Sequence, residues 1–183
     1  MRVWIRALGI ALFLPWLLGC DSGATGPEPP DLTGLDLGVE DYRVYGAALD
    51  SLFGKHRLVW VIADSTTSLF WPGLPDPLGD IQEAMPGLED ETLEDFRAKN
   101  VPDQRRALEQ RFELDSAVVL VSSIDSLDTC ILLSRVGFDV VSGQALVYVE
   151  YYCGALCGWG DLAFLEYVKP AWRVRAIVGL MMS

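Results

Sequence analysis

The sequence predicts an α+β domain in which an antiparallel meander sheet of about five or six strands packs against roughly two or three helices. The first observation is the stretch 144–168, where two runs rich in Val, Tyr, Phe and Leu flank a Gly-rich break at 153–160. This pattern is typical of an antiparallel hairpin. The second observation is that further strand-like runs nearby are separated by short turn signals. The third is the helical spacing of apolar residues at 40–53 and 89–99.

Within this domain, the apolar spacing predicts a helix at 40–53, followed by a buried strand at 58–63. The Pro-rich segment 64–88 predicts a long irregular loop. A helix is expected at 89–99 because acidic residues begin it, where the helix dipole favours negative charge. Another helix is expected from Pro102 through Phe112, since Pro suits a first helical turn.

The last strand is predicted to place its apolar residues on one face and its arginines on the other. Alternation along a strand puts every second side chain on the same side. The predicted apolar face consists of Trp172, Val174, Ala176, Val178 and Leu180, with Arg173 and Arg175 on the opposite face.

The first residues of the chain have the organisation of an export signal. Arg2 and Arg6 precede an apolar run at 7–18, shorter than the roughly 20 residues that a membrane-spanning helix needs. The run closes on a four-residue motif, Leu17-Leu18-Gly19-Cys20. This motif resembles the lipobox of bacterial lipoproteins. The resemblance implies cleavage before Cys20 and attachment of acyl chains, palmitate among them, to its thiol. A plain signal peptide or a single uncleaved anchor is the alternative.

Three regions follow from this interpretation. Residues 1–19 are the lipoprotein signal peptide, and residues 20–38 are the lipidated cysteine with a flexible tether rich in Pro and Gly. Residues 39–183 are a single α+β domain. We therefore expect an exported protein that is lipid-anchored to a membrane of the bacterial cell envelope.

The second half of the chain carries several short motifs in close succession. They are Ser134-Arg135-Val136-Gly137-Phe138, Gln144-Ala145-Leu146-Val147-Tyr148-Val149, Cys153-Gly154-x-Leu156-Cys157-Gly158-x-Gly160 and Trp172-x-Val174, with Asp95-Phe96 and Lys99-Asn100 upstream. These motifs resemble those of a group of uncharacterised bacterial secreted proteins and lipoproteins. The resemblance implies a small α+β domain and transfers no catalytic residue.

The charge of the chain argues against a nucleic-acid partner. The formal net charge is −12, and no basic patch offsets it, so a phosphate backbone would be repelled. Acidic residues crowd the segment 76–95, where a divalent-cation site is conceivable. A solvated acidic face is the preferred interpretation, because acid near a helix start is stabilising by itself. The sequence predicts neither a metal site nor a cofactor.

The cysteines of the domain are expected to be structural. Cys153 and Cys157 flank a Gly-containing bend in an exported chain, which predicts a disulfide between them. Cys130 is expected to be a buried, inert thiol at the start of a strand. Zinc binding by these three cysteines with His56, the only histidine, is a weaker alternative because paired ligand spacings are lacking.

Two function classes stay open. The first is a non-catalytic binding or interaction module with a binding surface at Tyr152 and Trp159, where aromatic rings occupy a constrained corner. Its partners would be membrane lipid, through acylated Cys20, and an envelope protein or a small ligand. The alternative is a small envelope hydrolase using Glu150, Glu166 or His56. The binding module is favoured, and no catalytic residue is assigned, because the sequence lacks a nucleophile motif.

Overall fold

A computed structural model describes residues 37–54, 58–122, 129–154 and 157–180. The helices are α1 (Leu37–Phe53), α2 (Ile81–Ala84) and α3 (Asp90–Lys99), with a 3-10 turn at Pro102–Gln104. The strands are β1 (Val59–Ala63), β2 (Ala117–Val121), β3 (Cys130–Leu133), β4 (Gly137–Asp139), β5 (Gln144–Tyr152), β6 (Gly158–Val168) and β7 (Ala171–Leu180). Within the described residues, no helix is long and apolar enough to cross a bilayer.

The described strands form a seven-stranded sheet in the order β2-β1-β3-β5-β6-β7, with β4 paired to β5. The predicted α+β class is confirmed, but the predicted antiparallel meander is wrong because the sheet is mixed. β1 pairs in parallel with both β2 and β3, and the other pairs are antiparallel. Parallel neighbours require a long crossover. The segment between β1 and β2 supplies one, and it contains α2 and α3.

Both faces of the sheet are covered. α1 packs on one face with Tyr45, Leu49 and Trp60 in its core. The other face is covered by α2, α3 and the loop before them, around Met85 and Phe96. Strand β5 is apolar on both sides because it contributes alternate residues to the two cores.

A β-bulge in β7 corrects the predicted one-sided pattern of the last strand. Phe164 is opposite Ala176 and Leu165 is opposite Val174, so Arg175 is the extra residue. One inserted residue exchanges the two faces of the strand beyond it. Trp172 and Val174 consequently pack on the α1 side, and the apolar residues after the bulge pack on the α3 side, namely Ala176, Val178 and Leu180.

The helix predicted from Pro102 through Phe112 is also wrong. The helical turn ends at Gln104, and the chain then runs extended beside the loop that follows β1. Ala107 forms a bridge with Ser65, and the Leu108 N–H donates to the Asp64 carbonyl at 2.7 Å. The backbone groups that an α-helix would use internally therefore bond to another segment. We call residues 105–111 the strap.

Candidate binding site

The structure links Cys153 and Cys157 by a disulfide, as the sequence predicts, with 4.9 Å between their Cα atoms. Backbone hydrogen bonds tighten the same bend, including one from the Cys153 N–H to the Cys157 carbonyl at 3.0 Å. Gly154 has φ 105°, a backbone conformation that residues with a Cβ rarely adopt. Cys130 is a free thiol and is buried, and burial raises its pKa.

The predicted surface at Tyr152 and Trp159 is divided between the two faces of the sheet. Trp159 is directly opposite Tyr151 in the β5–β6 pair, and their ring centroids are 4.3 Å apart. Tyr152 follows Tyr151 in the strand, so it projects from the other face. Trp159 is 46% exposed, so an accessible aromatic ring is present at the corner. Its aromatic neighbour is Tyr151 rather than Tyr152.

Glu150 and Glu166 do not form a carboxylate pair. Glu150 is opposite Gly160, whereas Glu166 is opposite Gln144 near the other end of β5. Six strand residues correspond to about 20 Å, far beyond the reach of concerted acid–base work. Glu166 forms an ion pair with Arg175 at 3.0 Å. The Tyr148 hydroxyl lies 3.4 Å from a carboxylate oxygen of Glu150, a long contact, and burial raises the pKa of Glu150.

Cys20 and His56 lie outside the described residues, so the structure places neither the lipidation site nor the histidine.

A cavity of about 150 Å³ lies where α1, the strap and the β3–β4 link meet. We call it the Arg135 cavity. None of the site residues predicted from the sequence lines it. Its polar lining residues include Asp41, Tyr42, Tyr45, Thr66, Arg106 and Arg135.

Arg135 is held in this cavity through its backbone. Its N–H donates to the Asn100 Oδ1 at 2.8 Å, and its carbonyl accepts from the Asn100 Nδ2 at 3.0 Å. Asn100 is 1% exposed and closes α3, so a buried carboxamide fixes the β3–β4 link against the helix end. Arg135 therefore has a defined position although it lies outside any strand.

The guanidinium of Arg135 has few partners for a buried cation. The residue is 7% exposed, and its Nε has no hydrogen-bond partner. Its Nη1 meets the carbonyl and the side-chain oxygen of Gln104 only at 3.4 Å, beyond the usual range for such bonds. No carboxylate of the described residues lies at ion-pair distance from it. Leaving a buried charge without a partner is costly, so an anion bound at this position would stabilise the fold.

Asp41 is the carboxyl group that α1 contributes to the cavity. Burial raises its pKa to about 6, against the opposing effect of the positive charges of Lys99, Arg135 and Arg106. The part of the chain that the structure describes offers it no hydrogen bond or ion pair. Asp41 is thus a half-buried acid that changes charge close to neutral pH.

The remaining polar groups of the cavity fix its walls. The Tyr42 hydroxyl accepts a hydrogen bond from the Glu109 N–H at 2.7 Å, which ties the strap to α1. The Tyr45 hydroxyl donates to the Ser134 carbonyl at 2.9 Å beside Arg135. The Thr66 hydroxyl accepts from the Arg106 N–H at 2.9 Å. The walls are therefore preorganised by bonds among residues distant in sequence.

Sequence reasoning missed this cavity, although a signal for it was present. Arg135 belongs to one of the motifs quoted above, and Asn100 belongs to the upstream pair. These two motifs meet in the structure: besides the Asn100 bonds, the Phe138 N–H donates to the Asp95 Oδ2 at 2.7 Å. A Cβ on Gly137 would overlap the backbone of Phe96, so the contact also requires a glycine there.

Comparison with protein-family models, with curated proteins and with solved structures finds no match for this chain. Among the described residues, no group of three or more His, Cys, Asp or Glu side chains could hold a metal ion.

Proposed function

We propose that this chain is a lipid-anchored protein of the bacterial envelope whose domain binds a small polar ligand without catalysis. The anchor rests on the Leu17–Cys20 motif and the preceding apolar run. The binding role rests on one observation above all: a buried arginine without an anionic partner in the described chain lines a cavity. Such a group is costly to bury, and an anionic ligand would supply the partner that the described chain does not.

The dimensions of the cavity suit a small molecule. A volume of about 150 Å³ matches that of an engineered protein cavity that binds benzene. A ligand of roughly six to ten non-hydrogen atoms is therefore expected. The strap closes one side, and its bonds to α1 and to the loop after β1 give the ligand a rigid frame. A preformed site loses little conformational entropy when it binds.

The positions of the ionisable groups favour binding over hydrolysis. The hydrolase alternative depends on Glu150, Glu166 or His56. The two glutamates are about 20 Å apart along the sheet, and neither lines the Arg135 cavity. Among the described residues that line the cavity there is no Ser, Cys or His, the usual components of a nucleophile and its base.

The test compares two arginine variants of the full chain, extracted from membranes in detergent. A panel of small anions, zwitterions, cations and neutral molecules is screened by thermal shift, since a ligand that binds the folded state raises its melting temperature. At least one class should stabilise the wild type by several degrees. Arg135→Met should abolish that shift, because it removes the guanidinium and leaves the backbone bonds to Asn100 in place.

Arg173→Met is the matched control, because Arg173 is exposed on β7 and does not line the cavity. It should retain the full shift. If no compound stabilises the wild type, or if both variants respond as the wild type does, the Arg135 cavity is not a binding site. Arg135→Met must also keep a cooperative melt, so that loss of the shift is separated from loss of the fold.

A further inference from the structure

We infer that the ligand of the Arg135 cavity is a small monocarboxylate, bound by the guanidinium groups of Arg135 and Arg106 at the N-terminal end of α1, next to the carboxyl group of Asp41. This inference rests on the binding function proposed above and specifies the chemistry of that same cavity.

The charges that line the cavity call for an anion. Arg135 and Arg106 are both in the lining, and neither forms an ion pair with a described residue. Asp41 is the one unpaired acid facing them, since the other acid of the lining, Glu109, is paired with Arg111 at 2.6 Å. With Asp41 ionised, two cations and one carboxylate leave one positive charge uncompensated, and with Asp41 protonated they leave two. A monocarboxylate neutralises the first state and still meets net positive charge in the second, and a planar guanidinium matches a carboxylate through paired hydrogen bonds.

The helix contributes to the same preference. Gly38 and Asp41 lie in the first turns of α1, a 17-residue helix, and both line the cavity. The N-terminal end of a helix carries a partial positive charge and favours anions. The same cavity is lined by Arg135, a residue that is 7% exposed and whose buried Nε has no hydrogen-bond partner. Two independent features therefore favour negative charge at one place.

Asp41 gives the site a dependence on pH. The charges that act on its pKa are those of Lys99 and Asp95 from α3, Arg106 from the strap and Arg135 from the β3–β4 link. The other titratable groups of the cavity lining are Glu109 and Arg111 from the strap and Tyr42 and Tyr45 from α1. As the pH falls through about 6, Asp41 takes up a proton and ceases to repel the ligand. The neutral acid then donates a hydrogen bond to a carboxylate oxygen. Affinity is therefore highest when Asp41 is protonated and the ligand is ionised.

The experiment measures the affinity of butyrate and benzoate for the full chain in detergent by calorimetry, with butyramide and benzamide as uncharged analogues of the same shape. The carboxylates should bind and the amides should not. Affinity should be about tenfold weaker at about pH 7.5 than at about pH 5.5, because the repelling charge on Asp41 returns as the pH rises.

Asp41→Asn separates this inference from a structural role of the residue. It keeps the size of the side chain and removes its charge, so it should bind carboxylates tightly at both pH values, gaining about tenfold at about pH 7.5 over the wild type. A variant that merely damaged the site would lose affinity instead, and that outcome would overturn the role of Asp41. Arg135→Met should eliminate carboxylate binding at both pH values.

Inorganic phosphate and ethylammonium are included because they distinguish an error in the ligand class from an error in the proposed binding function. If phosphate binds in an Arg135-dependent way and the carboxylates do not, the ligand class is wrong and the proposed binding function stands. Binding of ethylammonium would overturn the preference for anions, because two guanidinium groups repel a cation. If nothing in the set binds to a wild-type protein that melts cooperatively, and the wider panel above also fails, both fail together.

Discussion

Asn100 joins the end of α3 to the β3–β4 link, and its replacement by Ala tests how the Arg135 cavity is built. Its Nδ2 donates to the carbonyls of Phe96 at 2.8 Å and Arg135 at 3.0 Å, and its Oδ1 accepts from the Arg135 N–H at 2.8 Å. Its own carbonyl accepts the N–H groups of Leu69 and Phe70, both at 3.0 Å. Ala would keep the backbone bonds and lose the three bonds of the side chain.

The size of the effect follows from those three bonds. Each buried hydrogen bond contributes about 1 kcal/mol net, and leaving the Arg135 N–H without a partner adds a desolvation penalty of about 1 kcal/mol. Asn100→Ala should therefore lower the free energy of unfolding by about 3 to 4 kcal/mol. For a domain of this size the melting temperature should fall by about 10 °C. Carboxylate binding should weaken as well, because the link that carries Arg135 is no longer fixed to α3.

Urea denaturation followed by circular dichroism measures the loss, with Gln110→Ala as the control. Gln110 is an exposed amide whose hydrogen bond to the Val118 carbonyl is 3.4 Å long, so its removal should cost less than about 0.5 kcal/mol. A loss below about 1 kcal/mol for Asn100→Ala would refute the argument that this carboxamide holds the link.

Asn100→Asp adds a pH signature to the same test. The aspartate can still accept from the Arg135 N–H, but its charged form meets two carbonyl oxygens, which raises its pKa in the folded state above the usual value of about 3.9. Stability should thus be retained below about pH 4 and lost as the pH rises through the folded-state pKa. Asn100→Ala should show no such added dependence on pH. A flat profile for Asn100→Asp would mean that the carboxamide does not face these carbonyls.

Two further predictions concern the corner and the anchor. Trp159→Ala should lower the free energy of unfolding by about 1 to 2 kcal/mol, because the ring is 46% exposed and packs on Tyr151. A fully buried tryptophan would cost about 3 to 5 kcal/mol. Thermal denaturation measures the difference, and a loss in the upper range would reject this corner as a binding surface. Cys20→Ala should abolish labelling by a radioactive fatty acid and leave an uncleaved precursor, and labelling that survives the change would reject lipidation at Cys20.

The cavity could not be found from the sequence because its charges have unusual properties only after folding. Asp41, Arg106 and Arg135 are far apart in the chain, and each alone resembles an ordinary surface residue. Packing removes water from Asp41 and raises its pKa, and it buries Arg135 without an anionic partner in the described chain. The Cys153–Cys157 corner has a stronger signal in the sequence, because its cysteines and aromatic residues are neighbours along the chain. There the disulfide is present, but Tyr152 projects from the face opposite Trp159.

The features that the sequence determined by itself are those that depend on neighbouring residues. The apolar spacing specified α1 and α3, and the strand-like runs around the Cys153–Cys157 bend specified the β5–β6 hairpin. The tertiary structure decided the parallel position of β1 between β2 and β3, the bulge at Arg175 and the extended strap. These features are set by long-range pairing, in which each segment bonds to a partner many residues away. The local spacing of apolar residues does not identify that partner.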